Sequence, residues 1–87
     1  MAEVRLPGAL TTLFPGTPRR LALPGATVGD VLGALDREAP GMRDRLVVAG
    51  PAIREHIRVF VDGEPAGLDS PVATGSTVDV VLAVSGG

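Results

Sequence analysis

The sequence contains one long helical segment, and its other regular segments are short. From Val28 onward, apolar residues recur at intervals of three and four and form one face that ends at Ala39. Thr27 stands before this face as an N-cap residue, and Asp30 follows in the positively polarised first turn. Pro40-Gly41 then ends the segment. The pattern predicts one main helix that begins after Thr27.

Short segments on both sides of this helix alternate polar and apolar residues, which is the period of a half-buried strand. They are residues 3–6, 19–23 and 57–62, and two further segments are predicted as strands, a stub at 64–66 and a long, mostly apolar segment at 77–84. Pro7-Gly8 predicts a turn-rich loop after the first strand, and the first two strands form a hairpin in the simplest interpretation. Asp62-Gly63 is a two-residue hairpin turn. Residues 42–46 suggest a short helical turn, and residues 49–51 suggest a loop.

The resulting order is strand, strand, helix, strand, short strand, strand, which predicts an α+β protein. It is typical of the β-grasp, ubiquitin-like fold, with a mixed four- to five-stranded sheet and one main helix. The last strand is apolar at most positions, so it is expected in the centre of the sheet, paired on both sides. We therefore expect residues 1–83 to form the domain and residues 84–87 to form a flexible C-terminal tail.

Composition excludes several functions. A chain of 87 residues holds one small core, and a net charge of -2 argues against a nucleic-acid partner. No apolar run is long enough to cross a membrane, and the N-terminus lacks the pattern of a secretory signal, so we expect a cytoplasmic protein. With no cysteine, one histidine and no phosphate-binding loop, we predict neither a catalytic centre nor a metal site.

The side chains that carry acid–base groups have simpler interpretations. The sequence has no cysteine, serine or carboxylate at a spacing that would let His56 act as a catalytic acid or base. His56 is therefore interpreted as a surface histidine. The carboxylate pairs Asp36/Glu38 and Asp62/Glu64 are interpreted as solvent-facing residues of a helix and a turn. We therefore expect this chain not to be an enzyme.

The C-terminal sequence Ala83-Val84-Ser85-Gly86-Gly87 offers a different reactive group, a terminal carboxylate. Glycine has no Cβ, so Gly86 and Gly87 suit a segment that threads a narrow channel in a partner, with Val84 and Ser85 entering behind them. Activation on the α-phosphate of ATP would require a nucleotide site in that partner. The alternative is an ordinary frayed end.

A docking surface is predicted from strand alternation. If Val59 and Val61 face the core, Phe60 points outward beside Arg58, and Val81 and Ala83 do the same on the last strand. An exposed aromatic residue next to aliphatic residues and an arginine is typical of an interface anchor. The alternative is that these are isolated exposed apolar residues, which are common on protein surfaces.

Three parts of the sequence carry a family resemblance: the hairpin segment 58–64, the stretch 68–78 with its Leu-Asp-Ser-Pro and Thr-Gly-Ser-Thr-Val sequences, and the ending 82–87. Together they resemble the MoaD/ThiS family of sulfur carriers over essentially the whole chain. The resemblance implies that an ATP-dependent adenylating enzyme activates Gly87, that Gly87 becomes a thiocarboxylate, and that a synthase accepts the sulfur. It implies no cofactor bound to this chain, since ATP is used by the partner.

The connection from residue 49 to His56 and the Ala-Val-Ser-Gly-Gly ending are most similar to the CysO branch, which donates sulfur for cysteine synthesis. Molybdopterin, thiamin and thiolated metabolites are the other products that family members serve. Two further hypotheses remain open at this stage. One is a ubiquitin-like modifier joined through Gly87 to lysines of other proteins, and the other is a noncovalent β-grasp interaction module.

Overall fold

The computed structural model describes residues 1–83, so the predicted tail, with Val84, Ser85, Gly86 and Gly87, lies outside the described residues. Seven strands and three helices are found in the described range. The strands are β1 (Ala2–Arg5), β2 (Arg20–Leu23), β3 (Val47–Val48), β4 (Ala52–Ile53), β5 (Ile57–Val61), β6 (Glu64–Ala66) and β7 (Thr77–Leu82). The helices are α1 (Gly8–Leu13), α2 (Val28–Glu38) and α3 (Met42–Leu46).

Five strands form one mixed sheet in the order β2-β1-β7-β5-β6. Strand β7 pairs in parallel with β1 and antiparallel with β5, and β2 and β6 are the two edges. Val78 and Val80 of β7 are buried, with 0% and 3% exposure, because the strand has neighbours on both sides and the core beneath it. The mixed five-stranded β-grasp fold predicted from the sequence is confirmed, including the central position of the last strand.

Helix α2 begins as the sequence predicts. The Thr27 hydroxyl accepts a hydrogen bond from the Asp30 backbone N–H at 3.1 Å, and the Asp30 carboxylate accepts one from the Ala26 N–H at 3.3 Å. Two otherwise unbonded amides at the helix start are thereby satisfied. The buried face of α2 joins the sheet in one aliphatic core, whose fully buried side chains include Leu32 and Leu35.

The loop predicted between the first two strands contains a helix that the sequence analysis missed. Helix α1 follows Pro7, and the hydroxyls of Thr11 and Thr12 donate to the Gly8 carbonyl at 2.8 and 3.1 Å. Its one buried residue is Leu10, with 4% exposure. A six-residue helix anchored by one side chain shows no periodicity to detect, so its stability comes from tertiary burial rather than from local propensity.

A second small element was also missed. Strands β3 and β4 form a separate two-stranded sheet, with Val47 opposite Ile53 and Val48 opposite Ala52. The sequence predicted the intervening turn at residues 49–51 correctly but not the strands, because two-residue strands are too short to show alternation. The short helical turn predicted at residues 42–46 is present as α3.

Candidate docking face and tail exit

The end of β7 is held firmly by its neighbour β5. The pairing runs from Val61 opposite Val78 to Ile57 opposite Leu82. One residue further along, the Ala83 N–H donates to the His56 carbonyl at 2.8 Å. The point from which the chain continues toward Gly87 is therefore fixed by main-chain hydrogen bonds in the middle of the sheet.

Around this point, strand register brings the predicted docking residues onto the outer side of the sheet. Val81 lies directly opposite Arg58, and Phe60 lies opposite Asp79, so Val81 and Phe60 are diagonal neighbours. Val81 is 41% exposed, Phe60 and Ala83 are half-buried, and Arg58 is exposed. The structure thus gathers Arg58, Phe60, Val81 and Ala83 at one end of the sheet.

Pro65 also belongs to this surface and was not predicted. It lies opposite Phe60 on β6, which places it on the same side of the sheet as Phe60. The signal was present in the sequence: a two-residue turn at Asp62-Gly63 fixes the register, so counting outward from it pairs residue 60 with residue 65. We call Arg58, Phe60, Pro65, Val81 and Ala83 the tail-exit face.

Charged groups border the apolar part of the tail-exit face. The Arg58 guanidinium donates to the Glu55 carbonyl at 2.7 Å and to the Ile57 carbonyl at 3.2 Å, which holds it along the surface. On the other side, Asp79 lies 3.9 Å from the Arg5 guanidinium, measured between Oδ1 and Nε. An apolar centre with a polar border is the usual composition of a protein–protein interface.

The turn after β5 ties this region to the start of β7. Asp62 and Gly63 have φ of 51° and 86°, values that the predicted two-residue turn requires. The Asp62 carboxylate accepts a hydrogen bond from the Thr77 N–H at 2.9 Å, and the Asp62 N–H donates to the Thr77 carbonyl at 2.9 Å. The bond from Thr77, helped by the Ser76 hydroxyl, lowers the pKa of Asp62 below its usual value.

Asp62 and Asp36 have a structural role that the sequence analysis did not predict. Asp62 is exposed and Asp36 is half-buried, and each carboxylate also accepts backbone N–H hydrogen bonds, one for Asp62 and two for Asp36. Asp36 bonds Gly41 at 3.1 Å and Arg43 at 3.0 Å, which joins the end of α2 to the start of α3. Their role is to satisfy amides that the chain turns would leave unbonded.

His56 is exposed, and the contact found for it at the tail exit is made by its backbone carbonyl. Within residues 1–83, no cluster of three histidine, cysteine or acidic side chains is arranged to hold a metal ion. In that same range, every helix is too short or too polar to span a bilayer. What the described part of the site offers is therefore a surface and a fixed chain exit.

The fold and the central last strand place the protein in the class of ubiquitin-like β-grasp proteins. Within that class, the chain belongs to the ThiS family, whose model matches residues 4–87. A search of curated protein sequences gives no significant match.

Solved structures support this assignment. A chain from the Amycolatopsis orientalis BexX/CysO complex is 28% identical, with a TM-score of 0.90 and 100% coverage of both chains. SAMP1 from Haloferax volcanii is 32% identical, with a TM-score of 0.78, covering 99% of this chain and 98% of that one. CysO from Mycobacterium tuberculosis, at 24% identity and a TM-score of 0.87, covers 97% of this chain and 100% of that one, and it supports the fold.

Proposed function

We propose that this protein is a sulfur carrier whose Gly87 carboxylate is converted to a thiocarboxylate. The observation that carries the proposal is the ThiS-family match, which extends through Gly86 and Gly87. It is supported by the central strand β7, which fixes the chain exit at Ala83 beside the tail-exit face. In this role the protein is a cosubstrate of partner enzymes, and it supplies no catalytic group of its own.

The chemistry takes place in two steps on a partner. The Gly87 carboxylate attacks the α-phosphorus of ATP, which forms an acyl adenylate and releases pyrophosphate. A hydrosulfide equivalent then attacks the acyl carbon and displaces AMP, leaving a C–S bond in place of the C–O bond to phosphate. The tail supplies reach, since Gly86 and Gly87 carry no side chains that would block a narrow active-site channel.

In this proposal the tail-exit face orients the carrier on its adenylating enzyme. Phe60, Pro65 and Val81 supply apolar area, and Arg58 stands at the border where it can pair with an acidic residue. A sulfur-accepting synthase would bind at the same chain exit, because the thiocarboxylate at Gly87 must reach the active site of the synthase on the same short tail. Among the pathways that the family resemblance implies, we favour cysteine formation, because the connection from residue 49 to His56 and the Ala-Val-Ser-Gly-Gly ending resemble the CysO branch.

The test is the mass of the C-terminal peptide after coexpression with the host's adenylating enzyme. We expect a population that carries the oxygen-to-sulfur increment at Gly87, and its loss when Gly86 and Gly87 are deleted. A protein that stays an unmodified acid, and whose cellular activity survives that deletion, would instead be a noncovalent interaction module.

A second candidate is conjugation to other proteins through Gly87, which is favoured by the 32% identity to SAMP1 from Haloferax volcanii, since another solved structure from that organism is named small archaeal modifier protein 1. All eight basic residues of this chain are arginine, so it offers no lysine for chains of itself. Single attachment to another protein is unaffected by that absence. Peptide mass spectrometry of cell proteins separates the two candidates: because Arg58 is the last basic residue, trypsin would leave residues 59–87 of this chain attached to the modified lysine of the target.

A further inference from the structure

An apolar groove lies beside the sheet edge farthest from β6. It has a volume of about 620 Å³ and runs between β2, the end of α2 and the segment that follows α1. Its apolar lining includes Leu13, Phe14, Leu21, Ala39 and Pro40. Leu13 is 52% exposed, which is unusual for a leucine in a small protein whose other leucines mostly pack in or against the core. We call this space the β2 groove.

Strand β2 also presents main-chain groups along the groove. The Leu6 N–H donates to the Arg19 carbonyl at 2.7 Å, and Val4 lies opposite Leu21. Because bonding groups alternate along an antiparallel pair, Arg19, Leu21 and Leu23 turn theirs toward β1, and Arg20 and Ala22 turn theirs outward. No partner for the outward groups is found among residues 1–83. The edge is therefore ready to accept another extended strand.

Positively charged side chains lie at one end of the β2 edge. Arg19 and Arg20 are exposed, and neither has a carboxylate within 4.0 Å in the described chain, whereas nearby Arg5 is paired with Glu3 at 3.0 Å. The three arginines line one surface depression together. Glu38 lies at the groove on the helix side. A ligand that fits this edge should therefore carry acidic groups at the Arg19–Arg20 end.

We propose that the β2 groove binds an extended segment of a partner protein, with aliphatic residues at alternate positions and acidic residues at one end. The segment adds to β2 as an antiparallel strand through the outward groups of Arg20 and Ala22. Its aliphatic side chains enter the groove over Leu21 and Phe14, and its acidic residues pair with Arg19 and Arg20. A second copy of the chain is a poorer occupant, because β2 itself has no acidic residue to offer these arginines.

This inference is independent of the proposed sulfur chemistry. The groove lies at β2, whereas the chain exits from β7, and β1 separates the two strands in the sheet. Absence of a thiocarboxylate at Gly87 would leave the prediction for the groove unchanged. Conversely, loss of peptide binding at β2 would leave the proposal for Gly87 unchanged.

The test is a titration of the ¹⁵N-labelled full chain with the blocked peptide VTVTVDD, followed through backbone amide signals. We expect saturable shifts centred on Arg20 and Ala22, with a Kd on the order of 1 mM or tighter, as suits a short strand with few contacts. The matched peptide VTVTVKK should bind at least about fivefold more weakly, since two exposed ion pairs become repulsive contacts.

Three protein variants test the two parts of the proposal. Exchanging both arginines, Arg19→Glu with Arg20→Glu, should reverse the preference, so that VTVTVKK binds better than VTVTVDD. Ala22→Pro removes an outward N–H and should abolish binding, whereas Ala22→Thr should retain it; the amide spectrum reports whether each variant is folded. The proposal is overturned if the shifts centre on Phe60 and Val81, if the charge exchange does not reverse the preference, or if the peptide merely dissociates dimers joined through β2.

Discussion

The tail-exit face and the β2 groove offer a partner different kinds of contact. Strand β7 is bonded on both sides, and Pro65 on the edge strand β6 has no N–H to donate, so the tail-exit face presents mainly side chains. Strand β2 is bonded on one side, so the groove presents backbone groups as well. Side-chain contacts depend on shape and sequence, whereas backbone pairing accepts many extended segments. The tail-exit face therefore suits partners of matching surface shape, and the β2 groove suits short extended segments that need only the pattern of alternating aliphatic and terminal acidic residues.

The largest expected effect separates these two surfaces. Phe60→Asp places a charge at the centre of the tail-exit face and should slow thiocarboxylate formation by about 30-fold or more, the loss typical of an interface anchor. Binding of VTVTVDD at β2 should not change. Rates are measured from the mass of the C-terminal peptide with the adenylating enzyme held constant.

Arg20→Glu serves as the reciprocal control for this experiment. It should weaken the peptide at β2 and leave thiocarboxylate formation at its normal rate. If Phe60→Asp and Arg20→Glu both reduce the same activity, the two surfaces belong to a single interface, and the distinction between them is wrong.

The next prediction concerns stability on the two sides of β7. Val78 is fully buried and Val81 is 41% exposed, although both are valines of one strand. Val78→Ala should lower the free energy of unfolding by about 2 kcal/mol through lost burial and a residual cavity. Val81→Ala should change it by less than about 0.5 kcal/mol. Urea unfolding measures both, and equal losses would mean that Val81 supports the fold instead of a docking surface.

The sequence was sufficient for features that repeat or that have special turn residues. Residues 28–39 show a helical period over three turns, so α2 was predicted correctly. Asp-Gly is a residue pair typical of a two-residue hairpin turn, so the β5–β6 hairpin at Asp62-Gly63 was also predicted correctly. Alternation in residues 57–61 and 77–82 also placed Arg58, Phe60 and Val81 on one side of the sheet. These elements are determined locally.

The features that were missed depend on contacts between distant parts of the chain. Helix α1 rests on the burial of Leu10, and β3 and β4 are too short to show a pattern. The β2 groove arises because the residues after α1 and the end of α2 approach one edge of the sheet, which no local signal in residues 13–18 indicates. The strands of the main sheet could be predicted from the sequence, but the groove beside β2 could not.

A glycine pair tests the turn that sets the register of the tail-exit face. Gly63 has φ of 86°, which side chains rarely adopt, and Gly67 does not lie in that region, yet a Cβ at either position would meet nothing within 4 Å. Gly63→Ala should therefore cost about 1 kcal/mol of unfolding free energy, and Gly67→Ala should be neutral or slightly stabilising. A matching loss in both variants would contradict a turn held by backbone conformation.

The smallest expected effect is a pH dependence at the same turn, measured with Asp62→Asn. The Thr77 N–H lowers the pKa of Asp62 in the folded protein. The ionised carboxylate therefore adds stability above its unfolded pKa of about 3.9, and this contribution is lost as the pH falls through the lower folded pKa. Asparagine keeps an acceptor oxygen and tolerates positive φ but does not titrate, so the variant should lose less stability than the wild type in acid.

Asp69→Asn is the matched control, because Asp69 is exposed and no side-chain hydrogen bond is found for it within residues 1–83. Urea midpoints from neutral pH down to about pH 2 span the range in which aspartate titrates. The Asp62→Asn curve should be flatter than that of the wild type, and the Asp69→Asn curve should follow the wild type. If all three curves are parallel, the Asp62 carboxylate does not join the hairpin to β7 in solution, and the register of the tail-exit face depends on the glycine turn alone.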